Sequence, residues 1–183
     1  MTTFHTILLL VAAFFAVFAQ AALDGPRHWL GAQVDLLPAL MVYAALRTNL
    51  ATMALLAMFG GLCFDTLSAN PFGITMLPLF GVGFVLHVRR ELILRDQVFA
   101  QFVLGLAAGA ATPTLTLLLL LTGGYAPLAG WGSLWQIAVM GLAGGVLTPL
   151  VFQAFALCDR ALRYRPATQS SFRPDRDIRR GRF

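Results

Sequence analysis

The sequence predicts an all-α fold, a polytopic membrane helical bundle of about six transmembrane helices, on three observations. Apolar residues make up 58% of the chain and charged residues only 11%, whereas soluble domains carry about a quarter charged residues. Apolar runs close to the roughly 20 residues that cross a hydrocarbon core recur from the start of the chain to Leu157, separated by turn-forming clusters. All 13 basic residues are Arg, and 8 of them follow Leu157. The net charge of +5 is therefore a property of the tail. It points to membrane orientation and not to nucleic acid, which would need a basic folded face.

The first span is expected from about Phe4 to Leu23. Ala19-Gln20-Ala21 at its end resembles a signal-peptidase site, but no Lys or Arg precedes the apolar run, so an uncleaved first helix is the expectation. Asp24-Gly25-Pro26 then turns the chain. The second span, about Leu30 to Leu46, contains Asp35 and Pro38, which leaves a clean apolar stretch too short to cross by itself. A re-entrant hairpin with the third helix is the alternative, and its irregular backbone would have to face protein or a water-filled cavity. The third span runs Leu50 to Leu67, the fourth Phe72 to Val88, the fifth Val98 to Leu121 and the sixth Leu134 to Leu157. Arg47-Thr48-Asn49, Ala69-Asn70-Pro71, Thr122-Gly123-Gly124 and Ala129-Gly130 supply the turns.

Domain organisation follows: a transmembrane helical domain over 1–158 and a basic tail over 159–183, rich in Arg, Ser and Pro and expected to be mostly disordered. With six spans and the N-terminus inside, one side collects Arg47, Arg89, Arg90, Arg95 and the tail, and the other has only Arg27. Positive residues stay on the cytoplasmic side, so both termini are expected there. The tail's Arg residues would also rest on anionic lipid headgroups.

Within the spans, small residues recur at helical-contact spacing. Gly105 and Gly109 precede Thr112-Pro113, and Gly141 and Gly145 precede Thr148-Pro149. Each stretch lets helices approach closely, and each Pro removes a backbone bond and is expected to kink its span. The two helices run in opposite directions, as in folds built from inverted repeats.

Asp65, in Gly60-Gly61-Leu62-Cys63-Phe64-Asp65, is the most informative polar residue. It reads either as a buried polar site facing the bundle or as an interfacial carboxylate accepting bonds from amides at the start of the next helix. Asp35 reads more simply as a headgroup-level boundary. His5, His28 and His87 share neither spacing nor side, and Cys63 and Cys158 belong to no metal-binding pattern, so they read as inert buried thiols. The Met residues 53, 58 and 76 and the Phe-rich first helix read as packing or lipid-facing groups. No nucleophile elbow or phosphate loop occurs, and a proton relay would have only Asp65 and Asp35 to use. Neither enzymatic activity nor a cofactor or metal is expected.

The stretch from Asp35 to Arg90 resembles the MreD family of bacterial rod-shape-determining membrane proteins. The resembling residues are Asp35-Leu36-Leu37, Tyr43-Ala44-Ala45-Leu46-Arg47, Gly60-Gly61-Leu62 with Asp65 following, Pro71-Phe72-Gly73, and Arg89-Arg90, with Gln20 near the end of the first helix. The residues before Asp35 depart from the family, which often has Pro there, and the basic tail is not a general family feature. The resemblance implies a fold similar to the substrate-binding components of energy-coupling vitamin transporters. It also implies a non-enzymatic role in the inner-membrane cell-elongation complex, supporting side-wall peptidoglycan synthesis and rod shape. MreC would be the direct partner, with MreB, RodA and its transpeptidase reached indirectly, and the Gly105/Gly109 and Gly141/Gly145 faces would be possible contact surfaces. Gly61, Asp65, Pro71, Gly73, Asp35 and Arg47 would be the structural or partner-binding residues. The alternative is a small-molecule-binding membrane component of an uptake transporter.

Overall fold

The computed structural model describes residues 2–22, 31–68, 71–91, 97–125 and 130–163. Among these the chain forms six α-helices: α1 (Thr2–Ala22), α2 (Leu37–Arg47), α3 (Leu50–Leu67), α4 (Met76–Arg89), α5 (Val98–Thr122) and α6 (Trp131–Arg163). The Asp24-Gly25-Pro26 turn, Arg27, His28, Asn70, Arg95 and the tail beyond Arg163 lie outside the described residues. Three helices are long and apolar enough to cross a membrane: Leu50–Leu67, Val98–Thr122 and Trp131–Ala161. Three shorter apolar helices, His5–Gln20, Leu37–Arg47 and Met76–Arg89, accompany them.

The helix starts differ from the sequence expectation where proline or glycine intervenes. The second helix begins at Leu37 and not near Leu30, because Pro38 fits only the first turn; further into a helix its ring would strike the carbonyl of Val34. The fourth begins at Met76 and not at Phe72. Gly73 has φ +86°, a backbone conformation that no helix contains, so residues 72–75 form a turn first. The sixth helix is longer at both ends and continues to Arg163, into the stretch expected to belong to the tail. Pro113 and Pro149 both lie inside continuous helices.

At 11 residues α2 is only about 16 Å long, roughly half of a hydrocarbon core. It is also the centre of the molecule. Every residue from Leu37 to Leu46 is buried, and α2 packs against all five other helices. The irregular segment before it is therefore protein-covered where it carries Ala32 and Asp35, both buried. That is the condition under which non-helical backbone is tolerated at membrane depth.

Side-chain contacts fix which helix ends lie together. At one end the carboxylate of Asp35 meets Gln20 of α1, Asp65 of α3 meets the turn before α4, and Gln33 meets Gln136 of α6. At the other end His5 of α1 pairs with Asp159 of α6 at 3.0 Å, the Thr6 and Thr52 hydroxyls lie 2.9 Å apart, and His87 Nδ1 lies 2.9 Å from the Ala45 carbonyl. We call these the Asp end and the Arg end, since Arg47, Arg89, Arg90, Arg160 and Arg163 all fall at the second.

Near the Arg end, Tyr43 of α2 packs between two rings of α6, stacked on Phe155 at 4.3 Å and edge-on to Phe152 at 5.0 Å. Arg47, one turn on, places its guanidinium 5.9 Å from the Phe152 ring centre. Tyr43→Leu keeps an apolar group there and loses both ring contacts, so it should destabilise the protein by about 1–2 kcal/mol. Tyr43→Phe should stay within about 0.5 kcal/mol, and thermal unfolding of the detergent-solubilised protein would rank the two.

The most extensive helix pair is α5 with α6. A Cβ on Gly105 would collide with the Thr148 hydroxyl and the Gly144 carbonyl, and one on Gly109 would lie 2.5 Å from the Met140 carbonyl. The two small-residue faces named as partner surfaces are thus spent on each other. On α6 the seam runs through Gly141, Gly144 and Thr148, one helical face at spacings of three and four. Gly145 lies beside it, where a Cβ would meet the Phe102 ring at 3.0 Å.

Candidate functional site

Asp65 is 1% exposed and is fully used. Its Oδ2 accepts from the backbone N–H of Gly73 at 2.8 Å and of Thr75 at 3.3 Å, and its Oδ1 accepts a short bond from the Thr75 hydroxyl. These amides belong to the turn that opens α4, where free N–H groups and the helix dipole both favour a carboxylate. Gly61 lies one helical turn back on the same face of α3. A Cβ there would sit 2.8 Å from Met76 Cα, so only glycine lets α3 approach the start of α4 this closely. Pro71 accepts from Ile74 at 3.3 Å and closes the turn, while Gly73 supplies its positive φ. Gly61, Asp65, Pro71 and Gly73 therefore form one junction, and the capping reading of Asp65 describes its geometry.

Asp35 is buried within the protein. It is 3% exposed, and its Oδ1 accepts from the Leu37 backbone N–H at 2.9 Å and from Gln20 Nε2 at 3.2 Å. One carboxylate thus caps α2 and ties it to α1. The Gln20 Oε1 atom is buried and has no hydrogen-bond partner among the described residues.

Between these two acidic sites a cavity of about 370 Å³ opens among α3, α5, α6 and the segment before α2. That volume is at the small end of the range for ligand sites. Asp35 and Thr75 stand in its wall, facing Thr112 and Thr116 of α5 and Ser133 and Gln136 of α6. The Gln136 side chain accepts from the Gln33 N–H at 3.0 Å and donates to the Gln33 carbonyl at 2.7 Å, clasping the connector to α6 at the cavity's side.

The sequence missed this cavity. Its one available signal was Thr112 and Thr116, two hydroxyls at i, i+4 on the largely apolar α5. Gln136 and Ser133 carry no pattern of their own, and it is the tertiary fold that brings Asp35 opposite them. Arg47 lies at the far end of the molecule, with the Tyr43 cluster. Cys63 is partly exposed and Cys158 exposed, so neither is the buried thiol expected. His5, which shares neither spacing nor side with the other histidines, pairs with Asp159. Among the described residues no group of three or more His, Cys, Asp or Glu could hold a metal.

No family model, curated protein or solved structure matches this chain.

Proposed function

We propose that this chain is a multi-pass inner-membrane scaffold of the bacterial cell-elongation complex, of the MreD type, which holds MreC and thereby supports side-wall peptidoglycan synthesis and rod shape. The observation that carries the reading is the junction at the Asp end. Gly61, Asp65, Pro71 and Gly73 are scattered along the resembling stretch, and each has a distinct mechanical task at one contact between α3 and α4. A loose motif whose members converge in space is a better basis for kinship than composition alone. The part-buried tie between Gln20 and Asp35 adds two more of the resembling residues.

On this reading the three shorter helices also cross, with α2 completed by the protein-covered segment through Asp35. The Arg end faces the cytoplasm, as does each terminus, by the retention of positive charge on that side. Because the Gly105/Gly109 and Gly141/Gly144 faces are occupied within the chain, the partner surface lies on an outward helix face. The α1 stripe of Phe14, Phe15 and Phe18 is at least half exposed and is the most aromatic of these. Depletion of the protein followed by microscopy tests the role. Rounded, swelling cells are expected, and rod-shaped cells with a vitamin auxotrophy would replace the proposal with the second reading, a solute-binding uptake component, which the cavity favours.

A further inference from the structure

We infer that the cavity at the Asp end is a binding site for a protonated primary amine on a small apolar body. The inference rests on the hydrogen-bonding sense of the wall, and it stands under either functional reading above. The Thr75 hydroxyl gives its proton to Asp65, Thr112 gives its proton to the Ala108 carbonyl at 2.9 Å, and Thr116 gives its proton to the Thr112 carbonyl at 2.9 Å. Each hydroxyl therefore turns an oxygen lone pair, and no proton, towards a visitor. Both bonds to Asp35 fall on Oδ1, so Oδ2 keeps its acceptor capacity. The Gln136 amide commits its oxygen and one of its two N–H groups to the Gln33 backbone.

Among the described residues that line the space there is no Arg or His, so none of them gives the Asp35 carboxylate a counter-charge. A carboxylate removed from water and left with acceptors around it calls for a cationic donor. An ammonium group provides three N–H bonds and the missing charge together. The remaining wall, Phe64, Pro113, Leu117, Leu120, Ile137 and Met140, is apolar and suits a hydrocarbon or aromatic body. The free amine of a small molecule and the ethanolamine headgroup of a lipid share this chemistry, and the lipid composition of the test separates them.

The test is calorimetric titration of the full-length protein in phosphatidylcholine nanodiscs, with empty discs subtracted, using tryptamine and its neutral analogue indole-3-ethanol. Tryptamine should bind at least about tenfold more tightly. Asp35→Asn should remove that preference. Since Asp35 also caps α2, a second variant is needed: Gly132 lines the cavity and a Cβ built on it meets nothing within 4 Å, so Gly132→Phe should block both ligands, with an unchanged unfolding midpoint confirming that the fold is kept. Repeating the titration in discs containing phosphatidylethanolamine identifies the source. Weakened tryptamine binding there assigns the site to the lipid headgroup, and unchanged binding assigns it to a free amine. Equal affinity for the two indoles, no tryptamine binding, or a preference that survives both substitutions would overturn the inference. Cell shape does not enter these readouts, so the site and the scaffold role can fail separately.

Discussion

Gly105→Leu is expected to disrupt the bundle, at a cost of about 3 kcal/mol or more. The reason lies in what surrounds the position. A Cβ alone already falls on the Thr148 hydroxyl and on the Gly144 carbonyl. A side-chain end can swing away, but a backbone carbonyl moves only if α6 moves. Thr148 is itself fully buried and bonded to that carbonyl's residue at 2.7 Å, so it has no empty space to enter. Separating α5 from α6 would open the most extensive helix pair in the molecule. In a membrane no hydrophobic force compensates, because lipid solvates the parted faces as well as they solvate each other. Gly105→Ala should show a smaller loss of the same kind. Adding Thr148→Ala to it should recover only part, since the Gly144 carbonyl remains. Gly81→Ala is the control, its Cβ meeting nothing within 4 Å, and it should be neutral or slightly stabilising. Thermal aggregation midpoints of the four purified variants give the ranking. Full recovery in the double variant would place the clash at Thr148 alone.

The glycine seam shows how far the sequence could be read. Small residues at spacing four said that α5 and α6 each had a face for close approach, and α5 uses Gly105 and Gly109 as expected. What the pattern could not contain was the partner. A face built for backbone contact looks the same whether another protein or the next helix fills it. The neighbouring Gly144 and Gly145 also could not be told apart by composition; the rotation of α6, set by its whole packing, puts Gly144 on the seam and Gly145 under Phe102.

The helix boundaries follow a similar division. The α3 boundaries were legible from uninterrupted apolar character between turn residues. The starts of α2 and α4 were misplaced because hydropathy continues through residues whose backbone cannot be helical. Ala32 and Asp35 are buried by tertiary contact before α2 begins, and Phe72 is apolar although it stands in a turn. Pro38 and Gly73 held the correct boundaries, since each has a local steric rule that outranks hydropathy. Of the polar sites, Asp65 could be narrowed to two readings from its position near a helix end. Asp35 could not, because its environment is assembled from α1, α2 and the cavity wall, far apart in the chain.

Asp65→Ala should destabilise the protein by about 3–5 kcal/mol, while Asp65→Asn should cost only about 1 kcal/mol. Alanine leaves the Gly73 and Thr75 N–H groups and the Thr75 hydroxyl with no acceptor at a junction where Asp65 and Thr75 are themselves buried. Asparagine can satisfy all three positions. Its carbonyl oxygen replaces Oδ2 and accepts from the two backbone N–H groups, and its amide N–H₂ replaces Oδ1 and donates to the Thr75 oxygen, whose proton turns elsewhere. Only the charge is lost, and with it the reinforcement a carboxylate draws from the α4 dipole. Thr75→Val supplies the complementary check. It removes one donor from Asp65 and should cost about 1–2 kcal/mol, with no gain when combined with Asp65→Asn, where the amide would lose its acceptor. Membrane abundance, unfolding midpoint and cell morphology should move together across this series if Asp65 is a cap and nothing more. An Asn variant that folds and accumulates normally but fails to restore rod shape would give the negative charge a task beyond the junction.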